Sequence, residues 1–202
     1  MSSTMETSKD FSQTIAGLLA GNPTSEEFTL RVFELQEQTT AASDPELAKL
    51  MRLGAIPHII TTEVVGVLLN APEEQEANAA LLNRLIAFSF VLLRKDEQSY
   101  VYHDNVRDVL LKSYWQAEEN RATFEELQQR LAAFHKAQAK LQNEQKDYSA
   151  ALTSLGEAIA LAPEDGELYL EMGKAHYQLK DYATAIADLT RAIEIRPNDG
   201  DC

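Results

Sequence analysis

Four histidines, one cysteine and one Gly-Lys dipeptide are the places where chemistry could begin in this chain. His58, His103, His135 and His176 stand far apart, and none has a second histidine four residues away, the spacing that lets one helix face hold zinc. Cys202 is the single cysteine, which rules out an internal disulfide and a cysteine-based metal site within one chain. Gly173-Lys174 lacks the glycine loop that cradles phosphates, and no Gly-x-x-x-x-Gly-Lys-Ser/Thr stretch occurs. A Ser, His and Asp triad is recognised by geometry, so sequence singles none out. These residues predict no catalytic site, no metal and no cofactor, and hence a protein that is not an enzyme.

His103-Asp104 reads most simply as a helix start, with the Asp104 carboxylate accepting backbone N–H groups of the helix from Asn105 onward. That helix carries Val106, Val109, Leu110, Leu111 and Tyr114. Before it, Phe90 to Leu93 and Ser99 to Tyr102 are rich in strand formers and bracket the polar turn Arg94 to Gln98, which predicts a hairpin. Three short helices are expected upstream, over Leu47 to Leu53, Thr61 to Leu69 and Glu74 to Phe88, the last with Leu81, Leu82, Leu85 and Ile86 inward. The order resembles a winged-helix domain over 43–117. Residues 1–42 are expected to hold two helices, separated at Gly21-Asn22-Pro23, the second opened by a Thr24/Glu27 capping box and followed by a polar linker from Thr40 to Asp44. Thr123 with Glu126 predicts a fresh helix, which puts a domain boundary at Ala117 to Ala122.

The chain has 202 residues, 45% of them apolar and 25% charged, with eight Gly and six Pro, the profile of a soluble helix-rich protein. A formal net charge of -14 argues against nucleic acid, whose binding rests on Lys and Arg displacing counterions, and favours a protein or peptide with a basic face. The helix from Glu74 contains one basic residue, Arg84, a poor reader of a major groove; a winged-helix DNA-binding regulator is thus the alternative that charge disfavours. The apolar run Leu85 to Leu93 is too short to span a bilayer, so no membrane association is expected, and residues 1–10 lack the pattern of a secretory signal, which makes the cytoplasm the default.

The strongest pattern is a 34-residue repeat over 123–199, about two copies. Asp147-Tyr148, Ala151, Leu155, Ala158 and Pro163 recur as Asp181-Tyr182, Ala185, Leu189, Ala192 and Pro197. In the later copy Gly173 and Ala185 are small where two helices must approach, with Tyr169, Met172, Leu189 and Ile193 filling the space around them and His176 a core residue with a satisfied ring nitrogen. The earlier first helix, with Phe134, Ala137 and Leu141, looks displaced by one residue, as in a degenerate or capping repeat. Gly200 to Cys202 fall where Gly166 to Leu168 open the previous copy, which would leave the face from Ala185 to Ile195 partly open for a partner or for self-association.

The repeat resembles the tetratricopeptide family, and that resemblance implies helical hairpins of an α-solenoid; with the upstream order of elements the expected fold is mainly α, a winged-helix-like helical module with one β-hairpin followed by those hairpins. It also implies protein binding in a concave groove, to which the first helix of the later copy would turn Leu170, Glu171, Lys174, Tyr177 and Gln178. The family's clamp for chaperone tails wants Lys and Asn where Leu170 and Glu171 stand, so that partner is not expected. From Leu81 to Trp115, with Leu-Leu-Asn-Arg-Leu-Ile at 81–86 and Tyr-His-Asp followed by Val-Arg-Asp-Val-Leu-Leu at 102–111, the chain resembles the winged-helix segment of STAND-class signalling ATPases, which often continue into such repeats. In that class a His-Asp pair after the wing can touch nucleotide, which would make His103 a nucleotide contact if another chain supplied the nucleotide-binding module; Gly21-Asn22-Pro23 likewise resembles its Gly-x-Pro element but reads better as a plain corner. The function implied is a non-catalytic adaptor or the sensor part of a STAND-type protein.

Overall fold

The computed structural model describes residues 13–14, 16–94 and 99–197, so the hairpin tip at 95–98 and the residues Gly200 to Cys202 lie outside it. Helices α1 Ser25–Ala41, α2 Pro45–Leu53, α3 Thr62–Leu69 and α4 Gln75–Leu85 precede a two-stranded hairpin, β1 Val91–Leu93 with β2 Tyr100–Tyr102. Five helices follow: α5 Asp104–Leu110, α6 Glu118–Glu144, α7 Tyr148–Leu161, α8 Gly166–Gln178 and α9 Tyr182–Ile195. The fold is mainly α with one β-hairpin, as the patterning predicts.

Local chemistry explains most boundaries. Thr24 and Glu27 form the expected capping box of α1. Asp44 caps α2 through Leu47 N, so the expected polar linker is taken up by the end of α1 and this cap. Thr61 caps α3, which ends on Asn70 in the left-handed region at φ 58°. Where α3 crosses α4, Gly66 leaves no room for a side chain: a Cβ there would stand 2.8 Å from Asn78 Nδ2 and 3.0 Å from Pro72 Cα. Asn78 is buried and donates that same Nδ2 to Ala71 O at 2.8 Å.

The hairpin pairs Leu92 with Val101, and Ile60 bridges Tyr100 from the other side of β2. Tyr102 is buried and its hydroxyl donates to Met51 O at 2.7 Å, tying hairpin to α2. Its phenol pKa is pushed well above the ordinary value, chiefly by burial. At the start of α5 the cap is His103 rather than Asp104: His103 Nδ1 accepts from Asn105 N at 3.4 Å. After Leu110 the helix widens into one π-helical turn, Leu111–Trp115, which sets Trp115 into the core with Nε1 donating to Arg52 O at 3.1 Å. Arg52 in turn lies over the Tyr114 ring at 3.9 Å and is paired with Glu37.

No new helix starts at Thr123. A single helix of 27 residues runs from Glu118, and its first half belongs to the main core, where Leu127 and Leu131 join Phe33, Leu50, Met51, Leu85, Leu110 and Trp115. Its second half belongs to the repeats, where Ala139 meets Leu155, Ala158 and Leu168 in a smaller cluster.

Candidate functional site

Helices α6 to α9 form two antiparallel hairpins that match at an offset of 34 residues, beyond what the sequence pattern alone reveals. Asp147 and Asp181 cap α7 and α9 through Ala150 N and Thr184 N. Lys146 and Lys180, just before them, both take positive φ, 64° and 65°. Within the hairpins, Ser154 Oγ donates to Gln142 Oε1 at 2.8 Å, and at the same offset His176 Nδ1 meets Asp188 Oδ2 at 2.7 Å. His176 is thus the satisfied, largely buried residue expected.

Gly173 is the close-approach position: a Cβ would stand 2.8 Å from Leu189 Cγ and 3.2 Å from Ala185 O. Its counterpart is Ala139, also buried. The first helix of the earlier copy is therefore in register and not displaced by one residue. Phe134, Ala137 and Leu141 suggest it because they are apolar, yet Ala137 and Leu141 are exposed. The inward positions hold Leu131, Ala132, His135 and Ala139 instead. Of the residues expected around Gly173, Tyr169, Met172 and Leu189 are half-buried while Ile193 is exposed.

Between the first helices of the two hairpins lies a groove of about 470 Å³, lined by Ala133, Lys136, Ala137, Lys140, Glu167 and Glu171, with Ala139 and Leu155 at its floor. Lys136 bridges helices by contacting Asp165 Oδ2 at 3.0 Å and Glu167 Oε2 at 2.6 Å. Burial pulls the Lys136 pKa down, and the two carboxylates more than offset it, leaving it above the usual lysine value. Lys174 is held by Glu171 at 2.8 Å. Lys140, its counterpart one repeat earlier, has Ala137 where Glu171 stands and makes no ion pair among the described residues.

The five residues expected to face the groove divide. Glu171 lines it and Lys174 sits beside it. Leu170 is only 8% exposed and belongs to the packing between helices. Tyr177 and Gln178 are exposed further along α8, Tyr177 against the ring of Tyr182. Lys136 and Lys140 come into view only once α6 is placed in register, and Glu167, in the first turn of α8, only once Lys136 is seen to reach it. His103 stands apart, exposed at the head of α5.

Buried His135 has no partner for Nε2, and burial lowers its pKa to about 4 against a hydrogen bond to Gln138. No group of three or more His, Cys, Asp or Glu residues able to hold a metal occurs among the described residues, and no helix among them is long and apolar enough to cross a membrane. No curated protein and no solved structure matches the chain. A family model described as tetratricopeptide repeat matches residues 143–202, which take in α7 and the hairpin of α8 and α9, and over these residues the chain is similar to that family.

Proposed function

We propose that the chain is a non-catalytic protein-interaction module that binds an extended or helical peptide of a partner in the groove between α6 and α8. The observation that carries this reading is the groove itself, open, about 470 Å³ in volume and lined along α6 by the short side chains of Ala133, Ala137 and Ala139, so that a second chain can come close to that helix's backbone. Tetratricopeptide repeats generally mediate protein–protein interaction, and Lys140, which makes no ion pair among the described residues, gives the groove a polar anchor. The net charge of -14 favours a partner with a basic face on its remaining surface.

The order of elements ahead of the repeats, the short helices α2 to α4, a hairpin and then α5, with α6 leading into the first repeat, supports an adaptor or the sensor part of a STAND-type signalling protein acting in the cytoplasm. In that setting the exposed His103, with Nδ1 taken by its own helix, offers Nε2 to a nucleotide on a separate chain. Added nucleotide would then stabilise the complex and not this chain alone. Charge reversal at Lys140→Glu together with Glu171→Lys tests the main reading. A partner recovered with the native protein should be lost with this variant while helix content is unchanged; a partner held equally well by both places binding outside the groove.

A further inference from the structure

The two walls of the groove carry opposite charges in register. Lys136 and Lys140 stand one turn apart on α6, and Glu167 and Glu171 one turn apart on α8, each lysine 31 residues before the acid on the other wall. The first rung is closed, with Lys136 Nζ 2.6 Å from Glu167 Oε2 and 3.0 Å from Asp165 Oδ2. The second is open. Glu171 turns along its own helix to Lys174 at 2.8 Å, and neither Glu171 nor Glu144, one turn beyond Lys140 on α6, makes an ion pair with Lys140. Of the four charged side chains that line the groove, Lys140 alone has no ion-pair partner among the described residues.

The repeat shows how this arises. Lys174 has Glu171 three residues before it, and at the matching place before Lys140 the chain has Ala137. Ala137 is exposed and lines the same groove beside Ala133, with Leu155 below. One small residue thus leaves the Lys140 ammonium unpaired and opens an apolar shelf next to it. A neutral apolar segment laid on that shelf would strip water from an ammonium without supplying an acceptor, which is unfavourable. A basic side chain there would be repelled by Lys140, and the acids on the far wall already hold lysines. A carboxylate next to an apolar side chain answers both demands, the apolar group resting over Ala137 and Leu155 and the acid accepting from Lys140 Nζ. Because Lys136 is held by two carboxylates, the anchor is a single ammonium, which calls for a side-chain acid and not for a chain terminus.

We propose that the groove selects a partner segment carrying an acidic side chain beside an apolar one, with the acid docked on Lys140. This rests on the reading of the α6–α8 groove as the binding surface and names the chemistry of its occupant. The test is titration of three acetylated and amidated hexapeptides, Ser-Leu-Glu-Ala-Leu-Ser and its versions with Gln or Lys in place of Glu, into the full chain, followed by backbone amide NMR shifts. The net charge of -14 by itself favours the Lys peptide and disfavours the Glu peptide, so the local site predicts the reverse of the order set by the overall field. The Glu peptide should shift amides at 133–140 and 167–171 and bind there about threefold to fivefold tighter than the Gln peptide, an advantage that fades as salt rises. Lys140→Gln should erase the advantage and leave the affinity of the Gln peptide as it was. Ala137→Glu, which gives Lys140 the neighbour that Lys174 has, should erase it too; an undiminished advantage in both variants, with helix content intact, overturns the proposal. Equal binding of the Glu and Gln peptides in the groove, or tighter binding of the Lys peptide there, overturns the acidic anchor and keeps the groove as the binding surface. Shifts outside the groove, or none with any peptide, overturn both.

Discussion

Two side-chain pairs at equal offsets show how one backbone geometry is served by different chemistry. Gln142 with Ser154 is a neutral pair, and His176 with Asp188 an imidazole–carboxylate pair, each linking the two helices of its hairpin. Because both sit in partly buried surroundings, removing one member strands the other at a cost of about 1 kcal/mol or more. His176→Gln and Asp188→Ser should each lower the midpoint of urea unfolding, and the double variant, which copies the earlier hairpin, should recover most of the loss; additive losses would mean that the pair is not coupled. His135 makes a second residue-scale prediction. Its folded pKa of about 4 lies below the ordinary histidine value of 6.5, so the unfolded chain takes up a proton first as pH falls. Stability from this group is therefore full above pH 6.5 and is lost as pH falls toward 4, by up to roughly 3 kcal/mol. His135→Tyr, which places the residue of the equivalent position 169, should flatten the fall in unfolding free energy between pH 7 and pH 4.5 relative to the native chain; an unchanged slope would assign acid sensitivity to the carboxylates alone.

At the scale of elements, caps and breaks were readable where a side chain does the work and unreadable where packing does. The α1 box follows directly from residue type, and the caps at Thr61, Asp147 and Asp181 use the same chemistry, whereas at α5 His103 takes the place expected of Asp104. The start at Thr123 did not hold, because α6 is kept continuous by the apolar contacts of Leu127 and Leu131 with the upstream core, and a good capping sequence inside a packed helix has no end to cap. Thr123→Ala should therefore leave thermal stability within about 0.5 kcal/mol of native, whereas Asp147→Ala should cost about 1 kcal/mol by freeing the Ala150 N–H. Equal effects would restore a real helix boundary near Thr123. The groove was only half legible for the same reason. Its later wall could be read from the clear repeat, which offered Glu171 and Lys174. Its earlier wall was hidden because close-approach and packing positions there are held by Ala139, Gln138 and Gln142 rather than by the large apolar residues that betray periodicity. One π-helical turn at Leu111–Trp115 has no sequence signal apart from the aromatic pair it lets into the core.

For the whole molecule, α6 is the mechanical link: its first half is core to the upstream module and its second half is the first repeat helix, so the hairpins are held on a common shaft. Glu157 of α7 adds a charged contact, its pKa raised by burial against the opposing pull of Arg94 and Arg107 from the hairpin and α5. At the far end, α9 presents Ile186 and Ile193 to solvent, at the offset of Leu152 and Ile159 on α7, and Ile159 is partly buried against the cluster that α8 completes. The same face that is closed within the chain on α7 is thus open on α9. A second copy and a basic partner are distinguished by salt. Two copies of net charge -14 repel each other, so association through the apolar α9 face should strengthen as ionic strength rises from about 0.05 to 0.5 M, whereas capture of a basic partner should weaken over the same range. Light scattering of the chain alone across that range, with Ile186→Glu and Ile193→Glu variants, decides between them. Growth in mass with salt that the two substitutions abolish assigns the face to self-association. A constant monomer mass across that range overturns self-association through α9 and leaves the groove around Lys140 as the surface to test with a partner.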